Sequence, residues 1–116
     1  MGSCIGITSG KGGVGKSSVC IGLGIALARR GYKVCLVDMD LGLKNLDVMM
    51  GLENRVFYDI LDIAQGRCTL AQAIVSAKNQ NNLKLLPACK SVHVHKLKQE
   101  MMHEVILELK DMFDYI

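Results

Sequence analysis

The 116-residue chain has no tryptophan and a single proline, and aromatic residues make up only 4% of it. That leaves no proline-rich linker and no set of rings on which bases could stack. The charge is equally spare, with 14 basic against 11 acidic residues giving a net +3. It is scattered along the sequence, so no nucleic-acid surface is implied. No apolar run approaches the roughly 20 residues that cross a bilayer, and no basic n-region precedes an apolar segment at the N-terminus. The expectation is a chain with neither signal peptide nor membrane span. Position 6 is Gly6, where a myristoylation pattern wants Ser or Thr, so Met1-Gly2 does not signal a lipid anchor. The five cysteines (Cys4, Cys20, Cys35, Cys68, Cys89) are odd in number and have no C-x-x-C spacing. Cys4, Cys20 and Cys35 sit inside apolar segments and read as reduced core thiols of a cytoplasmic protein. An Fe–S cluster would need grouped thiolates, which this spacing does not offer.

What is present is half apolar, undivided by repeats or low-complexity tracts, and fits one domain of mixed α and β structure. Its organising stretch is Gly10-Lys11-Gly12-Gly13-Val14-Gly15-Lys16-Ser17-Ser18, which satisfies the phosphate-loop pattern G-x-x-x-x-G-K-[ST]. Residues without a Cβ let successive backbone N–H groups close around phosphate oxygens. Lys16 is placed to reach the β- and γ-phosphates, Ser17 to ligate Mg²⁺, and the positive end of a following helix adds field of the right sign. The alternative is a glycine-rich turn with an accidental lysine, but the flanks supply the strand and helix that the motif requires.

Cys4–Thr8 reads as a buried parallel strand feeding the loop. Lys16–Arg30 reads as a crossover helix with Val19, Leu23 and Leu27 on its apolar face, closed by Gly31. Lys33–Asp38 is a second strand, expected to pair in parallel with the first. Asp38, Asp40, Asn45 and Asp47 then fall at the carboxyl edge of the sheet, where α/β proteins collect ligands. Asp40 is the candidate for orienting an attacking water, and Asp47 reads equally well as an N-cap or first-turn carboxylate. Val56–Gln65 and Leu70–Ala77 read as short helices, the second capped by Thr69. Asn79–Asn82 reads as a loop before a third strand, Leu83–Leu86, that Pro87 stops. Lys96–Met112 is an amphipathic helix with Leu97, Met101, Val105, Leu109 and Met112 as its stripe. That stripe suits core packing, with a partner groove as the alternative. His93 and His95 alternate like ligands on a strand but lack a third group nearby, and His103 lies on the helix. Phe113–Ile116 begins what looks like a fourth strand, which suggests the N-terminal part of a longer protein.

Lys11-Gly12-Gly13-Val14-Gly15-Lys16-Ser17, with a lysine directly after the first glycine, resembles the deviant Walker A loop of the ParA/MinD ATPases. Asp38–Asp47, Gly51–Asp59 and Leu85–Ala88 are similar to the members of that family that determine the septum site, and the likeness covers nearly the whole chain apart from Lys90–Lys98. The resemblance implies an α/β P-loop NTPase fold, a mostly parallel sheet with helices on both faces, of which residues 1–116 would be the N-terminal part. It implies ATP/ADP and Mg²⁺ as cofactors, with Gly10–Ser18 binding the nucleotide, Lys16 holding the phosphates, Ser17 and Asp38 serving the metal, and Asp40 the attacking water. Lys11 would act across an ATP-dependent homodimer. MinC- and MinE-like partners, reversible binding to the inner face of the cell membrane through a C-terminal helix, and division-site placement are implied as well. A partition or flagellar-number ATPase, an Fe–S carrier on the same scaffold, and a nucleotide-binding segment without turnover remain as alternatives.

Overall fold

In the computed structural model, which describes residues 2–7, 14–38, 46–58, 62–63, 65–87 and 99–116, the first helix, α1, runs Val14–Arg29. Its end is set by Gly31 at φ 93°, a left-handed conformation that costs glycine little. The N–H groups of Gly31 and Tyr32 donate to the carbonyls of Ala28 (3.0 Å) and Leu27 (3.3 Å), a Schellman closure. The face of α1 that meets the sheet is the expected one only at Leu27. Val19 is 57% exposed and Leu23 also faces outward, while Gly24 and Ala28 are buried and Cys20, Ile21, Ile25 and Leu27 pack around them. Small residues win because the sheet lies so close: a Cβ on Gly24 would stand 2.8 Å from Leu36 Cδ2 and 3.3 Å from Leu83 Cδ1.

The strands are β1 (Val34–Val37), β2 (Val75–Ala77) and β3 (Gln80–Leu86), ordered β1-β3-β2. β1 and β3 are parallel, in register from Val34↔Leu83 to Val37↔Leu86, and β2 returns antiparallel to β3. Residues 114–116 extend this sheet. Parallel bridges join Tyr115 to Val34 on one side and to Ser3 on the other. Cys35 N–H donates to the Tyr115 carbonyl (3.0 Å), and Ile5 N–H to that of Ile116 (2.7 Å). The fourth strand expected from Phe113–Ile116 thus exists as a short ladder. The direct pairing expected between Cys4–Thr8 and Lys33–Asp38 does not occur, because this apolar run occupies the place between them. Asp114 helps hold it there, its carboxylate accepting from Lys33 N–H at 2.8 Å, and the Tyr115 ring meets Tyr32 edge to face at 5.1 Å. Nor is the first strand buried: Cys4 is exposed and Ile5 is 43% exposed, since among the described residues it is paired along one edge alone. Thr8 lies outside the described residues.

Alternation along the strands sends side chains to opposite faces. Val34, Leu36, Leu83 and Leu85 join Ala28 of α1 with Leu46 and Leu52, whereas Cys35 and Leu86 face Leu70, Ala73, Val105, Leu109 and Phe113. The sheet is therefore covered by helices on both sides, as an α/β doubly covered fold requires. On the second face lies α4 (Gln99–Met112), whose buried stripe is Val105 and Leu109 flanked by Met102 and Ile106. Met112, expected in that stripe, is exposed because Phe113 takes the inward position one residue later. Lys96, Leu97 and Lys98 lie outside the described residues.

α2 (Leu46–Met49) and a 3₁₀ turn (Glu53–Arg55) follow β1. Val56 is extended, at φ −90° and ψ 115°, and Val56–Tyr58 are not helical, so the helix expected over Val56–Gln65 is confined to residues 62–63 where it is described. A β-branched residue followed by two aromatics is a poor helix start. Gly66, at φ 75°, closes that turn by donating to the Ile63 carbonyl. α3 (Leu70–Ala73) carries the expected cap as a full capping box, Thr69 Oγ1 accepting from Gln72 N–H and Gln72 Oε1 from Thr69 N–H. The expected helix to Ala77 stops at Ala73, since Val75 and Ser76 pair with Leu85 and Lys84 of β3. Asn79, at φ 54°, makes the turn, and Gln80–Asn82, expected as loop, belong to β3. Asn82 is held there by its side chain, whose Nδ2 donates to the carbonyls of Ala28 (2.7 Å) and Tyr32 (2.8 Å) at the end of α1. Among the described residues no helix is long and apolar enough to cross a membrane.

Candidate functional site

The phosphate loop leads into α1, and the backbone of Lys16 and Ser17 lies in that helix's first turn. No acidic residue of α1 occupies the turn, so the helix itself leaves its positive end uncompensated there. Among the described residues, a Cβ added at Gly15 would meet no atom within 4 Å. Both observations fit an anion seated on the loop. Gly10, Lys11, Gly12 and Gly13 lie outside the described residues, as does Asp40 with the whole of 39–45.

Asp38 comes to the same end of the sheet by a different route. Its N–H donates to the Leu86 carbonyl at 3.2 Å, which prolongs the β1/β3 ladder by one residue. Asp38 is 6% exposed, and its Oδ2 accepts a 2.8 Å hydrogen bond from Leu46 N–H at the start of α2. Cys20, one turn beyond Lys16 on α1, registers this carboxylate: burial raises the thiol's pKa, and the Asp38 charge raises it further. The start of α1 and the carboxyl end of β1 thus converge on one edge, where Asp47 holds a first-turn position of α2.

A metal-cluster reading gains nothing here. Among the described residues no three His, Cys, Asp or Glu groups are placed to hold a metal. Cys4 is exposed, which corrects its reading as a core thiol, and Cys20 and Cys68 are half-buried. Cys35 is the fully buried one, and burial pushes its thiol up to about 12, so it stays protonated. His103 is exposed on α4, and His93, His95 and Cys89 lie outside the described residues. An apolar cleft between α1 and the strand ends, lined by Ile5, Ile7, Leu23, Tyr115 and Ile116, offers no polar group suited to phosphate.

Residues 5–111 match the family described as CobQ/CobB/MinD/ParA nucleotide binding domain. The chain belongs to that family. Septum site-determining protein MinD of Bacillus subtilis (strain 168) is 50% identical over 117 aligned residues, which take in 100% of this chain and 44% of that protein. Among solved structures of the family, the MinC:MinD cell division protein complex of Aquifex aeolicus superposes with a TM-score of 0.85 at 44% identity, covering 97% of this chain and 45% of the other. MinD complexed with Mg-ADP from Pyrococcus horikoshii OT3 gives 0.84 at 37% identity, covering 100% and 47%. The fold is that of these P-loop NTPases, and the chain spans 44–47% of the length of these three relatives.

The motif was legible in the sequence, but one backbone group at the site and one side chain that holds the opposite end of its helix were not. The Leu46 N–H that meets Asp38 is a backbone donor with no side-chain signature. The Asn82 amide that fixes the far end of α1 looks like one more turn residue in Asn79-Gln80-Asn81-Asn82.

Proposed function

We propose that this chain is the phosphate-binding part of a MinD-like ATPase switch. The observation that carries the reading is the convergence of a helix start with no acidic residue in its first turn, directly after Gly10–Gly13 in the sequence, with the Asp38-bearing end of a parallel strand. The Pyrococcus relative solved with Mg-ADP and the Aquifex relative solved with MinC support it. Residues 1–116 form part of a single nucleotide-binding domain. ATP or ADP with Mg²⁺ is the ligand, and the bound metal and nucleotide supply the phosphoryl group and the charge that shields it. Loop N–H groups from Gly10 to Ser18 hold the phosphate oxygens, with Lys16 as their counter-charge and Ser17 toward the metal. Asp38 serves as metal contact or support, and Asp40 orients water for attack. Lys11 neutralises charge on the phosphates of a second copy, since a lysine ahead of the cradle does not easily turn back to its own γ-phosphate.

Turnover, ATP-dependent dimerisation, MinC- and MinE-like partners and reversible attachment to the inner face of the cell membrane are assigned to a polypeptide of the relatives' length. Calorimetric titration of Mg-ADP tests the cradle: Lys16→Ala lowers affinity at least about tenfold, the loss of one charge-assisted phosphate contact, whereas Lys11→Ala spares binding. In the longer polypeptide Lys11→Ala abolishes dimerisation with a slowly hydrolysed ATP analogue. Equal ADP binding by parent and Lys16→Ala sinks the assignment.

A further inference from the structure

We infer that Gly24 is a positioning residue, whose missing side chain sets the depth of α1 on the sheet and so the place of the helix start beside the end of β1. The inference rests on the nucleotide-site reading for what is positioned, and on contacts among described residues for how. The C-terminal end of α1 is tied down by the Asn82 amide, which donates to the carbonyls of Ala28 at 2.7 Å and Tyr32 at 2.8 Å. The middle of the helix bears on the sheet at Gly24. A Cβ there would stand 2.8 Å from Leu36 Cδ2, 3.4 Å from Leu36 Cδ1 and 3.3 Å from Leu83 Cδ1. Leu36 of β1 and Leu83 of β3 are both buried, so the bearing surface is the core itself. Between Gly24 and its start the helix meets that core through Cys20 and Ile21, which are only partly buried.

A tied end and a bearing point make α1 a lever. With a rise of ~1.5 Å per residue, Ala28 lies about 6 Å from Gly24 along the axis and about 18 Å from the backbone of Lys16. Carbon atoms in good contact stand about 3.5–4.0 Å apart, so a side chain at position 24 that Leu36 does not clear lifts the helix by about 0.7–1.2 Å. Tilted about its tied end, the helix start moves roughly three times as far, about 2–4 Å. A misplacement of about 1 Å is already costly where groups are held in a fixed geometry. Alanine adds one carbon, which the far end of the Leu36 side chain can clear. Valine branches at Cβ and is stiff at χ1 in a helix, so the helix must give way instead.

Calorimetric titration of Mg-ADP compares the parent with Gly24→Ala, Gly24→Val, Leu36→Val and the double variant Gly24→Val/Leu36→Val. Each is first shown to be fully folded by circular dichroism, with the Leu83 and Leu85 amides as protected from exchange as in the parent. Gly24→Ala and Leu36→Val bind within about threefold of the parent. Gly24→Val loses about tenfold or more in affinity. Retracting the Leu36 methyls in the double variant restores binding to within about threefold of the parent, a recovery that lost stability alone does not produce in protein that is already folded. The inference is overturned if folded Gly24→Val binds as tightly as the parent, or if the double variant binds as weakly as Gly24→Val. Should Gly24→Val not fold, Gly24→Cys, one heavy atom larger than alanine, takes its place: a loss of about threefold or more is expected, and binding equal to the parent's overturns the inference. A parent that does not bind Mg-ADP overturns the nucleotide reading and the inference with it, whereas a parent that binds beside an equally tight Gly24→Val overturns the inference alone.

Discussion

Exchanging Asn82 for aspartate changes almost no volume and removes the donor of two hydrogen bonds. Asn82 Nδ2 donates to the Ala28 carbonyl at 2.7 Å and to the Tyr32 carbonyl at 2.8 Å. Gln80 Nε2 donates to Asn82 Oδ1 at 2.7 Å and reaches the Ala28 carbonyl at 3.5 Å. Asn82→Ala removes both donated bonds at a half-buried site, for a loss of about 1–2 kcal/mol. Asn82→Asp instead sets a carboxylate oxygen against two carbonyls at the negative end of α1. Repulsion there adds up to about 1 kcal/mol to the lost bonds, for a total of about 2–3 kcal/mol at pH 7, with the retained bond from Gln80 holding it toward the lower end. The sign with pH follows. Folding raises the pKa of this carboxyl above its unfolded value of about 3.9, so the deficit is smallest at acid pH, where the protonated acid can donate, and grows as pH climbs through the folded pKa. Urea unfolding followed by far-UV circular dichroism at pH 4.5 and 7 measures it. The reasoning fails if Asn82→Asp is as stable as Asn82→Ala at pH 7, or if its deficit does not shrink at pH 4.5.

Cys35, raised from 9.0 to about 12 by burial, ionises more easily unfolded than folded. Stability is complete below pH 9 and falls above it by up to about 1.4 kcal/mol per pH unit; the parent's urea midpoint, compared with Cys35→Ala at pH 8 and 10, reads this slope. Gly24→Ala should stay within about 1 kcal/mol of the parent, helix propensity offsetting a shift of Leu36, whereas Gly24→Val should lose about 2–3 kcal/mol to overpacking. Chemical denaturation of both variants checks the pair, and a valine variant as stable as the alanine one would contradict the close approach of α1 to the sheet. Thr69→Ala should cost about 1 kcal/mol through loss of the capping box, measured as faster amide exchange at Gln72.

Local chemistry was what the sequence announced well. Gly31 marks the end of α1, Thr69 announces a cap, and the near-continuous apolar Val34–Val37 reads as a strand covered on both faces. The glycine loop and the carboxylates after β1 were visible because phosphate chemistry restricts residue type. What was hidden depends on partners distant in sequence. Val75–Ala77 scans as the tail of a helix until Leu85 and Lys84 are there to pair with it. Val19 and Leu23 look like the buried face of α1 until the distance to Leu36 demands glycine. The insertion of residues 114–116 beside β1 leaves no trace in either segment that it separates.

That insertion bears on the order in which the molecule assembles. Ser3 and Ile5 find their ladder partners at Asp114 and Ile116, nearly the whole chain away, and no other neighbour is described for them in the sheet. A ribosome delivers the first segment more than a hundred residues before its partners at 114–116, so its place stays unfilled meanwhile, and a contact of such sequence separation is among the slow ones to close. The phosphate loop hangs from that first segment, so competence to hold nucleotide should arrive late in folding, after α1 and the β1/β3 pair are in place. In pulse-labelling during refolding, Ile5 should gain protection after Leu85, and the opposite order would show that the N-terminal segment docks without its partner.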